Sequence, residues 1–129
     1  MPGASAEEIV PPIIIDEDSS LIFFESVRSA EGYLEVIDVE NDEYVGYDSR
    51  GRLLALTVEK PRVQGLARLL GMPAERVVIG LAELDSSHSV QLRDAVQRFL
   101  LQLRALPEGS DTLALSELID LAMQHGDRR

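Results

Sequence analysis

Residues 43–58 read Glu43-Tyr-Val-Gly-Tyr-Asp-Ser-Arg-Gly-Arg-Leu-Leu-Ala-Leu-Thr-Val58. Two short runs rich in β-branched and aromatic residues, Glu43 to Asp48 and Arg52 to Val58, flank Asp48-Ser-Arg-Gly51. Asp hydrogen-bonds the backbone of its own turn, and Gly takes conformations closed to other residues, so the stretch predicts a β-hairpin. Working upstream, Val36, Ile37 and Val39 lead into the acidic run Glu40-Asn41-Asp42-Glu43. Before them, Ser26 can cap a short helix whose apolar face is Val27, Ala30, Tyr33 and Leu34, weakened by Gly32. Leu21 to Phe24 is a β-branched and aromatic run that predicts a strand. Ile13-Ile14-Ile15 precedes it, running into Asp16-Glu17-Asp18. Residues 1–12, closed by Pro11-Pro12, are expected to be a flexible leader.

Downstream of the hairpin, Pro61 breaks the chain, and Val63, Leu66, Ala67 and Leu70 recur at helical spacing until Gly71 and Pro73. Residues 77–82 alternate as a strand would, although the run is short enough to suit a buried helix as well. The longest apolar stripe is Leu92, Ala95, Val96, Phe99, Leu100 and Leu103. It predicts a helix with its N-cap among Asp85, Ser86 and Ser87 and its end at Pro107 and Gly109. A final helix carries Leu115, Leu118, Ile119, Ala122 and Met123 and stops at Gly126, with Thr112 to Leu115 open to a strand reading. Together these elements predict a single α+β domain over residues 13–129. Its expected architecture is a small, mostly antiparallel sheet with the helices packed on one face.

The chain has 129 residues and a formal net charge of −11. That balance argues against a basic nucleic-acid module, and 45% hydrophobic content argues for a folded chain. Without cysteine there is no disulfide, thiolate nucleophile or Cys-ligated metal. No apolar stretch approaches the ~20 residues that span a bilayer, and the N-terminus lacks the pattern of a secretory signal, so the expectation is a cytoplasmic protein away from membranes. The charge is uneven. Residues 1–60 hold 14 acids and 4 bases, whereas residues 61–129 hold 9 acids and 8 bases. No linker or low-complexity segment separates the halves.

No nucleophile with its base, carboxylate pair in a recognisable motif, or metal triad stands out. His88 falls beside the start of the long helix and His125 in the last turn of the final one, where a helix C-terminus favours a cation. Asp38-x-Glu40-x-Asp42 imitates a calcium loop, but the sixth and twelfth positions are Glu43 and Ser49 rather than Gly and Glu. The expectation is therefore a protein with no enzymatic activity, cofactor or metal. Leu66 to Val77, with Ala67, Gly71 and Val77, follows the helix-turn-helix pattern, which gives an alternative reading of residues 66–82 as a DNA-binding or regulatory element. Its second helix would offer one Arg and no Asn, Gln, Ser or Thr to bases, and a chain of this charge is repelled by a duplex. An adaptor domain is a third reading.

Leu21-Ile-Phe-Phe-Glu-Ser26, Ala30, Tyr33-Leu-Glu35, Asp38-Val, Asp42-Glu-Tyr44 and Tyr47-Asp-Ser-Arg-Gly-Arg-Leu-Leu54 together resemble the front half of small bacterial immunity-type proteins found near polymorphic toxins. The resemblance spans residues 21–58. It implies a non-enzymatic cytoplasmic protein that neutralises a toxin by binding it, and it transfers no individual residue role. Charge points the same way on separate grounds, because an acidic surface steers toward a basic cleft. The expected partner surface is Glu35, Asp38, Glu40, Asp42, Glu43 and Asp48, a run without any basic residue, together with Tyr44 and Tyr47. Tyrosines make good anchors, although two of them three apart in a strand face opposite ways. An exposed apolar edge would serve a second copy of the chain as readily as another protein.

Overall fold

The computed structural model describes residues 9–60, 64–71, 75–82 and 88–129. Their strands are β1 (Ile13–Glu17), β2 (Ser20–Phe24), β3 (Tyr44–Tyr47), β4 (Leu53–Glu59), β5 (Arg76–Leu81) and β6 (Asp127–Arg128). They form one sheet in the order β5-β4-β3-β1-β2-β6, antiparallel throughout except where β6 runs parallel to β2. Five helices accompany it: α1 (Val27–Tyr33), α2 (Val36–Glu40), α3 (Gln64–Leu69), α4 (Ser89–Gln102) and α5 (Leu115–His125). The fold is α+β with a mostly antiparallel sheet, as the sequence predicts.

The helices, however, occupy both faces of that sheet rather than one. Ile13, Ile15, Ile22, Phe24, Tyr44, Leu54, Val77 and Ile79 point to one side, against Ala30 and Leu34 of the α1 region and Val39 of α2. Ile14, Leu21, Phe23 and Tyr47 point to the other, against Leu92, Val96 and Phe99 of α4 and Leu118, Ile119 and Ala122 of α5. The cause is in the sequence: three successive isoleucines and the unbroken run Leu21-Ile-Phe-Phe24 place apolar side chains on both sides of β1 and β2. Burying only one side would leave half of them in water.

The sheet also curls. α1 packs on β1 and β2 and still reaches β5, where the Ile79 amide donates to Glu31 Oε2 at 2.8 Å. In a flat sheet β1 and β2 stand three and four spacings from β5, about 14 and 19 Å at ~4.8 Å each, against a helix only ~10 Å across. Curling round α1 brings them within reach, and Glu31 satisfies an amide that the edge strand β5 would otherwise present to solvent.

Several boundaries differ from expectation for identifiable reasons. The expected leader extends to residue 12, but Ile9 is only 4% exposed, and the Val10 carbonyl accepts from the Ser49 amide at 2.9 Å. Residues 9 and 10 therefore belong to the fold, and residues 1–8 lie outside the described residues. Ser26 caps α1 as expected, its hydroxyl accepting from the Ser29 amide at 3.0 Å. The expected α4 N-cap among Asp85 to Ser87 lies outside the described residues. At its other end α4 stops at Gln102, short of Pro107. Arg104 takes a left-handed conformation (φ 57°), and the Arg104 and Ala105 amides donate to the Leu101 and Leu100 carbonyls at 3.0 and 2.8 Å. That is a Schellman ending built on Arg where Gly is usual. Thr112 to Leu115 is no strand: Ser110–Thr112 is a single 3-10 turn, and α5 follows directly.

A helix, α3, and then a strand follow the hairpin, as the sequence predicts, and this overturns the alternative reading of residues 66–82. The α3 leucines do not enter either core, since Leu66, Leu69 and Leu70 are 51%, 81% and 63% exposed; Val63 lies outside the described residues. Arg76–Leu81 is a strand, paired with β4 from Leu54↔Leu81 to Glu59↔Arg76. The helix-turn-helix reading of residues 66–82 therefore has no recognition helix. Val77-Val78-Ile79 is β-branched throughout, and alternate burial of Val77 and Ile79 suits the sheet better than a helix.

Candidate partner-binding surface

The turn between β1 and β2 consists of Asp18 and Ser19, with φ of 49° and 70°. Both residues sit in the left-handed region, as a two-residue type I′ hairpin requires, and the Ser19 amide donates to Asp16 Oδ1 at 3.0 Å. The turn sets Glu17 and Asp18 at the end of the sheet. The pairing Glu17↔Tyr44 then brings them beside the start of β3. α2 packs over the same end, and Tyr44 Oη donates to Asp38 Oδ2 at 3.1 Å. The Glu43 amide donates to the Asp38 carbonyl at 3.0 Å. As a result Glu17, Asp18, Asp38 and Glu43, distant in sequence, line one cleft without a Lys or Arg among them.

Crowding disfavours the charged form of Glu43. The Glu43 carboxyl is pushed up from its ordinary pKa, first by a hydrogen bond shared with Asp38, then by repulsion from Asp38, with Glu17 adding to it. Glu35 at the start of α2, Glu40 at its end, and Asp42 just beyond are all exposed. Glu40, Asp42 and Glu43 gather at the C-terminal end of a helix, where the backbone dipole disfavours anions. Local stability gives no reason for them to be there.

The structure divides the expected site residues. Asp38 and Glu43 share the cleft with Glu17 and Asp18, which the expected surface did not include, while Glu35, Glu40 and Asp42 are exposed at the ends of α2. The antiparallel return of β1 onto β3 is what recruits Glu17 and Asp18. The other three do not belong to an open surface. Tyr44 packs its ring in the α1 and α2 core, with only its hydroxyl reaching Asp38, and Tyr47 packs in the opposite core against α4 and α5. The two tyrosines do face opposite ways, but both are structural. Asp48 is fully buried at the far end of β3, held by Arg52 Nε and Nη2 at 2.8 and 2.6 Å.

Tyr44 offers a direct readout of the cleft. Its phenol is pushed up to about 12 from 10.0, by burial first, then by the bond to Asp38 and by repulsion from Glu17 and Asp38. Below pH 10 the phenol is protonated in folded and unfolded chains alike. Between 10 and 12 the folded chain keeps a proton that the unfolded chain releases, so stability falls as pH rises through that window. The chain has no Trp, so tyrosinate absorbance after a rapid pH jump reads the phenols cleanly. Tyr44→Phe should remove amplitude from the high-pH end of the titration; amplitude lost near pH 10 would contradict this environment.

Among the described residues, no group of three or more His, Asp or Glu side chains is arranged to hold a metal ion, and no helix is long and apolar enough to cross a membrane. His88 stands at the start of α4 and His125 in the last turn of α5. No protein-family model, no curated protein and no solved structure matches the chain.

Proposed function

We propose that this protein is a non-enzymatic, cytoplasmic binding protein of the immunity type, which neutralises a basic toxin by covering its cationic site with the acidic end of the sheet. The observation that carries the reading is the cleft of Glu17, Asp18, Asp38 and Glu43, with Glu35, Glu40 and Asp42 exposed at the ends of α2. Asp38 and Glu17 repel Glu43, and Glu40, Asp42 and Glu43 sit at the unfavourable end of α2. Residues that weaken a fold locally are characteristic of sites kept for recognition. A cationic partner relieves that repulsion on binding, and the same field accelerates encounter at low salt.

The exposed positions Asp42 and Glu43 make the test clean. Asp42→Lys with Glu43→Lys should leave the circular dichroism spectrum and unfolding midpoint close to those of the parent. Parallel capture from extracts of the source cells, with parent and variant immobilised side by side, should then retain a basic protein on the parent alone. Mass spectrometry showing the same captured proteins on both surfaces would remove this end of the sheet from any partner site.

A further inference from the structure

We infer that the segment Asp127 to Arg129 is an edge guard, a strap whose backbone occupies the open side of β2 and so prevents two copies of this chain from joining β2 to β2. β2 reads Ser20-Leu-Ile-Phe-Phe24, without a charge, a Pro or a Gly. Short, uncharged, β-prone segments of this kind pair with copies of themselves wherever they form a free edge. The opposite edge of the sheet, β5, is protected in two ways: Arg76 begins it, and Glu31 takes the Ile79 amide. β2 has neither protection. Among the described residues the only strand beyond it is β6.

The strap is held by its backbone. The pairing Ile22↔Asp127 and Phe23↔Arg128 continues to Arg129, whose amide donates to the Phe23 carbonyl at 2.7 Å while its carbonyl accepts from the Glu25 amide at 3.0 Å. The side chains contribute little anchorage. All three are exposed, Asp127 and Arg129 pair with each other at 2.8 Å, and the Arg129 guanidinium lies 4.8 Å from the centre of the Tyr33 ring. A cavity of about 360 Å³, lined by Phe23, Phe24, Glu25, Met123, Arg128 and Arg129, lies against the strap, so it does not pack flush on the body. What it does accomplish is to occupy the Phe23 carbonyl and the Glu25 amide, groups with which an incoming strand would pair. Alternation along the strand puts Leu21 on that same side. With the strap lifted, a two-fold axis at Phe23 sets Phe23 of one copy opposite Phe23 of the other and Leu21 opposite Glu25, an antiparallel continuation of the sheet built from one patch on both copies. The net charge of −11 opposes the approach of two copies, so salt favours the joined form. The inference rests on this edge alone and does not require the toxin reading.

Sedimentation velocity on the full chain tests it, over a wide range of concentration at low and high salt. Asp127→Pro with Arg129→Pro removes the amides that the strap directs at β2. This chain should keep the circular dichroism spectrum of the parent and move from monomer toward dimer as concentration rises, more so at high salt, whereas the parent stays monomeric. Arg129→Pro alone, which loses the 2.7 Å bond, should shift the same way to a smaller extent, and it serves as the test if the double change unfolds the chain. Adding Glu25→Pro to either variant takes a donor from β2 itself, at an open side where a strand tolerates proline, and should restore the behaviour of the parent. Proline variants that sediment as the parent does overturn the inference. So does a dimer that survives Glu25→Pro or that weakens with salt, because the copies would then be joined through some other surface.

Discussion

Replacing Asp48 by Ala is expected to cost about 3–5 kcal/mol of stability, the range found when one partner of a buried ion pair is removed. For a chain of this size the thermal midpoint should fall by about 10 °C or more. Asp48 Oδ1 accepts from the Arg50 and Arg52 amides at 3.0 Å each. Oδ2 accepts from Arg52 Nε and Nη2 and, at 3.3 Å, from the Val10 amide. One carboxylate therefore closes the β3–β4 reversal, neutralises a guanidinium in the interior, and ties the incoming chain at Val10 to the loop. Alanine removes the carboxylate that pairs with Arg52, itself only 6% exposed, and strands the amides. Because the two side chains act as a unit, Asp48→Ala with Arg52→Ala should cost less than the sum of the single changes, by about 1–3 kcal/mol. Urea unfolding of the three variants measures this directly. A single Asp48→Ala within about 1 kcal/mol of the parent would contradict the account of the loop.

Gly51→Ala should be nearly as damaging, at about 2–4 kcal/mol, from left-handed strain and overpacking together. Gly51 has a φ of 80°, and a Cβ there would stand 2.6 Å from Ser89 Cα, 2.7 Å from Ser89 Cβ and 3.1 Å from its nitrogen. Those are backbone and first-carbon atoms at the start of α4, which no rotamer change can move aside. The hairpin loop and the helix would have to separate. Gly71 supplies the control: its φ is 73° and nothing lies within 4 Å of its Cβ position. Gly71→Ala should show the strain alone, about 1 kcal/mol. Equal losses at the two positions would mean that contact with Ser89 does not constrain the loop.

The same loop shows how far the sequence could be read. Asp48 and Gly51 announce the reversal, and the reversal is there, but an Asp framing a turn is ordinarily a surface residue. Its burial depends on Arg52 folding back and on Val10 arriving from elsewhere in the chain. In the opposite direction, Asp18-Ser19 lacks the Gly or Asn that marks a type I′ turn, so the β1–β2 hairpin and its contribution of Glu17 and Asp18 to the cleft left no local signal. Ile13-Ile14-Ile15 carried the evidence for a sheet covered on both faces, since only a strand buried on both sides has no polar alternation. α2 is helical against the β preference of Val36, Ile37 and Val39, because Val39 must reach the core while the acids stay outside; tertiary packing overrides propensity there. β6 is two residues long with exposed side chains. It is held along β2 by backbone bonds, Arg129 N to the Phe23 carbonyl at 2.7 Å and Glu25 N to the Arg129 carbonyl at 3.0 Å, which side-chain patterning does not encode. The long helices α4 and α5, whose apolar stripes are periodic over several turns, were the most legible elements.

What remains is the purpose of the acidic end. The decisive measurement is the stopped-flow association rate of the parent with the basic protein it captures, followed across ionic strength and repeated with Asp42→Lys and Glu43→Lys combined. The account predicts a fast rate at low salt that falls steeply as salt rises, and a slower, flatter dependence in the variant. Identical rates and identical salt dependence for parent and variant would show that these carboxylates do not meet the partner.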